Sequence, residues 1–256
     1  MQNPAYVSPK TSHQIASGCR CGFVAFPFPG CPPPILIYTL PVVIPVYDGC
    51  YFKDVFQRIR PAQHICYPLI SLGLNALNLN KSLIAQLHLI NTARPNDWDI
   101  LVLQEPWISH TGTRSFPHWR VLYPNTHFTD NTKIQRSLIF VNTNIPTNSY
   151  EQVQFDNADV MGIRIAHGTQ MTILINVYND CNQNKSVDSV GEFLEREFPN
   201  DHVPDDINII LTGDFNRHHA WWEDDRNVHP ISSEASLQPL LDLIYRYDFR
   251  MALPPG

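Results

Sequence analysis

Four short polar clusters interrupt the apolar runs of this 256-residue chain, and their side chains are of the types that hold cations and move protons. They are Asn78-Leu79-Asn80, Gln104-Glu105-Pro106, Asn176-Val177-Tyr178-Asn179 and Gly213-Asp214-Phe215-Asn216. Glu105 offers a hard carboxylate oxygen, the ligand type of a divalent cation that keeps several waters and takes few protein groups. Asp214 supplies a second carboxylate. Asn216 lies two residues beyond it, so an extended segment sets both on one side. Tyr178 adds a phenol donor, and Asn78 and Asn80 add amides. Each cluster also has a plainer reading. Glu105 can be a solvated strand end, Asp214 and Asn216 a turn, Tyr178 a core edge, and Asn78 and Asn80 caps of a following helix.

The elements around the clusters place them at strand ends, where loops usually build sites. Leu69–Leu79 reads as a strand. Leu83, Ile84, Leu87 and Ile90 then recur at helical spacing, giving an amphipathic helix over 81–93 stopped by Pro95. Asp99–Gln104 (DILVLQ) is a run buried on both faces, typical of an interior strand. Ser137–Asn142 and Val160–Ile165 are further strands, and the latter turns at 167–170 into Met171–Val177 as a hairpin. A helix follows over 187–198 with a Ser189–Glu192 capping box inside its start. Ile207–Leu211 is another buried strand. A last helix contains Leu240, Leu241, Ile244 and Tyr245, with Pro239 tolerated only in its first turn. Strands in pairs with few helices between them fit two sheets packed face to face and covered by helices.

Composition changes near residue 70. Prolines 27, 29, 32, 33, 34, 41 and 45 crowd the region before it, and neither helical nor strand periodicity lasts there. Residues 1–68 are therefore expected to be mostly irregular or disordered, and 69–256 to form the domain. A polyproline II segment is one reading of 26–34. Cys19, Cys21 and Cys31 lack zinc-ligand spacing, so free thiols are the better account. The apolar run Leu36–Tyr47 is too short to span a bilayer and is broken by Pro41 and Pro45. No positive n-region precedes an apolar h-region, so no secretory signal is read. The formal charge is −6. It shows no basic excess of the kind a binder that neutralises many phosphates usually has, so any grip on nucleic acid must be local or metal-assisted, and charge alone decides nothing further.

The order NxN, strand–QE, strand–NxY, strand–GDFN, with the phrases LNLNKS, LVLQEPWI and LTGDFNRHH, resembles the endonuclease/exonuclease/phosphatase superfamily. Within it, residues 70–253 look like the endonuclease module of non-LTR (LINE-type) retrotransposons. The resemblance implies an α+β fold, a DNase I-like four-layer α/β/β/α sandwich. It implies hydrolysis of phosphodiester bonds with Mg2+, Mn2+ being the alternative, and DNA as the substrate. Glu105 would be the metal ligand with Asn80 beside it, where many relatives carry Asp. Asp214 would orient or deprotonate the attacking water, Asn216 would hold the phosphate or Asp214, Tyr178 would donate to a phosphate oxygen, and Asn78 would bond within the cluster.

The chain departs from the family at its end. Relatives continue with two more strands and a Ser-Asp-His element, whereas this sequence closes on Leu253-Pro254-Pro255-Gly256. The expectation is a sandwich missing its last strands and an impaired DNA-nicking module. His218, His219 and His229 follow GDFN on a loop and are not read as substitutes. Two alternatives stay open: an inactive remnant or binding protein derived from such a domain, and a phosphatase of the same fold. No membrane association and no protein partner is inferred. The resemblance implies an intracellular place of action, nuclear for a working retroelement endonuclease.

Overall fold

A computed structural model describes residues 55–58, 72–108, 116–130, 132–219, 222 and 231–251. They form two sheets. Strands β1 (Val55–Arg58), β6 (Tyr150–Val153), β7 (Val160–His167), β8 (Gln170–Tyr178), β9 (Ile207–Asp214) and β10 (Phe249–Met251) make a six-stranded sheet in the order β10-β1-β9-β8-β7-β6. Strands β2 (Leu74–Asn78), β3 (Ile100–Gln104), β4 (Trp119–Leu122) and β5 (Ser137–Asn142) make a four-stranded sheet in the order β2-β3-β5-β4. β2 runs parallel to β3, and β8 parallel to β9. The helices are α1 (Leu83–Thr92), the short α2 (Thr126–Thr129), α3 (Lys185–Glu197) and α4 (Glu234–Arg246).

Alternation along the strands sorts the core into three clusters, and these define the layers. Leu74, Ala76, Ile100, Val102, Ile139 and Val141 meet Met161, Ile163 and Leu174 between the two sheets. Leu77, Leu101, Leu103, Leu138 and Phe140 face the other way, onto Leu89 and Ile90 of α1. Ile173, Ile175, Val177, Ile209 and Leu211 face outward onto α3 (Val187, Val190, Phe193, Leu194) and α4 (Leu237, Leu240, Leu243, Ile244). Helix, sheet, sheet and helices thus stack as α/β/β/α, the α+β arrangement expected. Both sheets are covered on both faces, so their central strands read as continuous apolar runs.

Several local expectations need correction. β1 lies within the stretch expected to be irregular, yet it pairs antiparallel with both β9 and β10. Ladder hydrogen bonds hold this short segment in a region where periodicity gave no signal. The remaining residues of 1–68, with their cysteines, the proline-rich 26–34 and the apolar run 36–47, lie outside the described residues. β2 begins at Leu74 because Gly73 belongs to a tight junction: its N–H donates to Asp99 Oδ2 at 2.8 Å, and an added Cβ would sit 2.7 Å from Asp97 O. The buried face of α1 is Gln86, Leu89 and Ile90, and Ile84 is exposed. Tyr245 likewise points away from the α4 core. Helix α3 starts after Asn184, which puts Ser189 inside it rather than at a cap. Pro239 sits beyond the first turn of α4, whose buried leucines keep the helix continuous despite the missing donor.

Candidate active site

The layer logic also locates the polar clusters. The face of β2 that carries Ala76 into the space between the sheets next presents Asn78. On β3 the same alternation runs from Val102 to Gln104, and on β8 from Leu174 to Asn176 and Tyr178. On β9 it runs from Ile210 to Thr212 and Asp214. Register sets Asn78 opposite Gln104, Asn176 opposite Thr212, and Tyr178 opposite Asp214. The seam between the sheets is therefore apolar along most of its length and polar at one end, where all four clusters emerge.

Asp214 is buried and anchored on both oxygens. Asn78 Nδ2 donates to Oδ2 at 2.7 Å, and the Asn216 backbone N–H donates to Oδ1 at 3.0 Å. Asn78 Oδ1 in turn accepts from the Asn80 N–H at 2.8 Å. Asn216 folds back through its own amide, which donates to Asn179 O at 2.7 Å, while the Asn179 N–H donates to Asp214 O at 2.8 Å. The glycine of GDFN is obligatory here. Gly213 has φ of 146°, and a Cβ on it would lie 1.9 Å from Val177 O.

Glu105 breaks the alternation of β3 with a left-handed φ of 46°. Asn80 (45°), Lys81 (57°) and Asn216 (49°) are left-handed as well, so backbone strain gathers at this end of the seam. Several bonds hold Glu105 in place. Its N–H donates to Arg136 O and its carbonyl accepts from the Lys81 N–H, both at 2.8 Å. Lys81 Nζ lies 3.5 Å from Glu105 Oε1. The next loop residues are pinned by buried Gln86, which accepts from the Trp107 N–H at 2.8 Å and donates to Trp107 O at 3.1 Å. Burial pushes the Tyr178 phenol up to about 12, and the charges of Glu105 and Asp214 add to this while the Arg136 guanidinium opposes it.

Asn78, Tyr178, Asp214 and Asn216 are thus joined by direct bonds or by register, and Glu105 is close enough for its charge to act on Tyr178. Asn80 enters through its backbone. Its side chain is exposed and makes no bond into the cluster among the described contacts. Among the described residues, no group of three or more His, Cys, Asp or Glu side chains is arranged to hold a metal. A hard cation that takes one or two carboxylates and keeps its waters asks for less than that. Glu105 is a carboxylate of that type, and the lysine ammonium beside it is the cation that a metal ion would displace or neighbour.

Sequence reasoning gave no role to the residues that brace the site. Gln104 Nε2 donates to Asn176 Oδ1, and Asn176 Nδ2 donates to Leu103 O and Leu138 O at 3.0 Å each, which clamps one sheet to the other. Buried Arg217 donates to Asn216 O at 2.7 Å, Ser236 O at 2.8 Å and Gln183 O at 2.9 Å, behind GDFN. The His218 N–H donates to Ser232 Oγ, and the His219 ring packs against Trp222. His229 lies outside the described residues. No described helix is long and apolar enough to cross a membrane.

No family model and no curated protein matches the chain. Solved structures are similar to it at low identity. The endonuclease domain of TRAS1, a telomere-specific non-LTR retrotransposon, is 16% identical with a TM-score of 0.48, over 68% of this chain and 69% of that one. Humanized D. rerio TDP2 is 11% identical with a TM-score of 0.37, over 66% and 70%. The human Nocturnin catalytic domain is 10% identical with a TM-score of 0.31, over 54% and 57%. All three are DNase I-like folds of the endonuclease/exonuclease/phosphatase kind.

Proposed function

We propose that this site hydrolyses phosphodiester bonds, with Mg2+ (or Mn2+) held at Glu105 beside Asn80, and that its substrate is DNA. One observation carries the reading: a buried carboxylate, Asp214, is fixed on both oxygens by Asn78 and Asn216 next to the Tyr178 phenol, at the one end of the seam where Glu105 also emerges. A bound Mg2+ would supply charge relief on the phosphate and stabilise the leaving oxygen. The Asp214 carboxylate orients a water and accepts its proton as the water oxygen adds in line to phosphorus and the bond to the leaving oxygen breaks. Tyr178, with its phenol held protonated at neutral pH, donates to a phosphate oxygen. Asn216 and Asn78 keep the Asp214 carboxylate from rotating. The negative net charge leaves DNA to be gripped locally at the site rather than by a broad basic face.

Supercoiled plasmid incubated with the protein and Mg2+ tests this directly. Nicked circles are expected with Mg2+, none with chelator, and none with Glu105→Gln or Asp214→Asn. An intact plasmid under both Mg2+ and Mn2+, or nicking untouched by Glu105→Gln, overturns the reading. Release of phosphate from a monoester with the plasmid left whole would assign the site to a phosphatase instead.

A further inference from the structure

We propose that Arg136 is a positioning residue for this site, tying together the strand ends that carry Glu105 and Tyr178. The inference rests on the function proposed above and adds a residue to it. Arg136 directly precedes β5 and makes attachments of three kinds. Its backbone carbonyl accepts the Glu105 N–H at 2.8 Å, so it is bonded to the residue with strained φ. Its guanidinium forks onto Asp159, with Nε to Oδ1 at 2.9 Å and Nη2 to Oδ2 at 2.6 Å, and Nη1 reaches Asp180 Oδ2 at 3.0 Å. Its Cζ lies 4.5 Å from the centroid of the Tyr178 ring.

The partners close the circuit. Asp159 O accepts the Tyr178 N–H at 2.8 Å and the Ser137 hydroxyl at 2.7 Å. Asp180 follows Tyr178 by two residues. Every group touching Arg136 therefore belongs to, or adjoins, a strand end of the site. Hydrogen bonds donated to Asp159 and Asp180 hold the guanidinium above its already high ordinary value, so it stays charged at every working pH. A planar cation lying over an aromatic ring fixes both the plane of the ring and its distance. A lysine ammonium supplies charge without the two-pronged fork. Arg136 thus sets the direction of the Tyr178 phenol and the height of Glu105 at the mouth of the seam.

The test compares Arg136→Met and Arg136→Lys with Arg164→Met. Arg164 is a control on β7 of the six-stranded sheet, the sheet that also carries Tyr178, and it is paired with Glu151 at 3.0 Å and with Glu197. It lies four strand positions beyond Val160, away from the site. Both Arg136 variants should lose about 10- to 100-fold in kcat for plasmid nicking, as groups that orient a site do, with KM moving little. Arg164→Met should lose stability but not kcat. In a Tyr178→Phe background, Arg136→Met should add little further loss, because the two act through one ring.

A readout independent of activity is the NMR spectrum of 13C-tyrosine-labelled protein, with the Tyr178 ring assigned from Tyr178→Phe. Arg136→Lys should shift that ring resonance and Arg164→Met should not. Fully additive kinetic losses, or a Tyr178 resonance unmoved in the Arg136 variants, overturn the proposal. If the wild-type chain nicks no DNA, the proposed function fails and the NMR comparison still decides the role of Arg136.

Discussion

Asn78 donates its side-chain N–H to Asp214 Oδ2 at 2.7 Å, across 136 positions of sequence and from one sheet to the other. The bond stands where the apolar seam gives out, so it serves both the packing of the sheets and the setting of the carboxylate. Asn78→Ala should leave a buried carboxylate short of a donor, at about 1–3 kcal/mol. Its nicking rate should fall more steeply than its stability, since one oxygen of Asp214 then lacks the Asn78 donor that helps to fix the carboxylate. Asn78→Asp is the sharper variant. Two carboxylates at that separation cannot both ionise, and one must take up a proton. Its pH–rate profile should therefore differ in shape from that of the wild type. A pH–rate profile with the shape of the wild type would argue against this account.

The glycine of GDFN gives a stability prediction that does not depend on any reaction. In Gly213→Ala the new Cβ would lie 1.9 Å from Val177 O, a backbone atom of the neighbouring strand that cannot move aside without parting β8 from β9. Gly168, also at positive φ (56°), has nothing within 4 Å of its added Cβ. Gly168→Ala should cost only the backbone strain, on the order of 1 kcal/mol. Gly213→Ala should cost several times as much, or abolish the cooperative transition. Urea melts of the two variants side by side measure the difference, and equal midpoints would count against the close approach at Gly213.

These two cases show what the sequence made legible. The clusters that build the seam could be found because each ends an apolar run, and period-2 alternation carries from Val102 to Gln104 and from Leu174 to Tyr178. Arg136 could not be found that way. A basic residue before a strand has no pattern, and its partners Asp159 and Asp180 lie 23 and 44 positions away. Gln104 and Asn176 were visible as polar ends of strands, but only the stacking of the two sheets makes them a clamp. Strands β4, β6 and β10 are three or four residues long, too short for alternation to register. Helix α1 misled through composition. Ile84 extends an apolar stripe yet is exposed, while Gln86 is buried because the Trp107 backbone satisfies its amide.

Tyr178 gives a pH prediction with a definite sign. Its phenol is pushed up to about 12 from an ordinary 10.0, first by burial and then by Glu105 and Asp214. The folded state therefore keeps this proton at pH values where the unfolded chain has lost it. The associated stability is fully present below about pH 10 and is lost as pH rises toward 12. Tyr178→Phe should flatten the fall of stability with pH across that window, although Tyr247, also raised by burial, leaves a residual slope. Urea midpoints taken through the window are the measurement. A slope unchanged in Tyr178→Phe would mean that the ring does not sit in this electrostatic surrounding.

The place of β1 yields the last prediction. It pairs with β9 through Val55 opposite Thr212, Phe56 opposite Leu211 and Gln57 opposite Ile210. On its other side it pairs with β10 through Phe56 opposite Met251, Gln57 opposite Arg250 and Arg58 opposite Phe249. A chain beginning at Ala62 lacks the strand that joins β10 to the rest of the sheet. It exposes a ladder edge on β9, the strand that carries Gly213 and Asp214. Phe249 and Tyr247, both buried in the α3–α4 core, would then be held only through α4. A chain beginning at Tyr51 keeps β1. The shorter chain should melt at a lower urea concentration, aggregate more readily, and lose nicking in proportion to the loosening of Asp214. Equal midpoints and equal rates in the two chains would show that β1 is dispensable and that β9 can serve as the edge of the sheet.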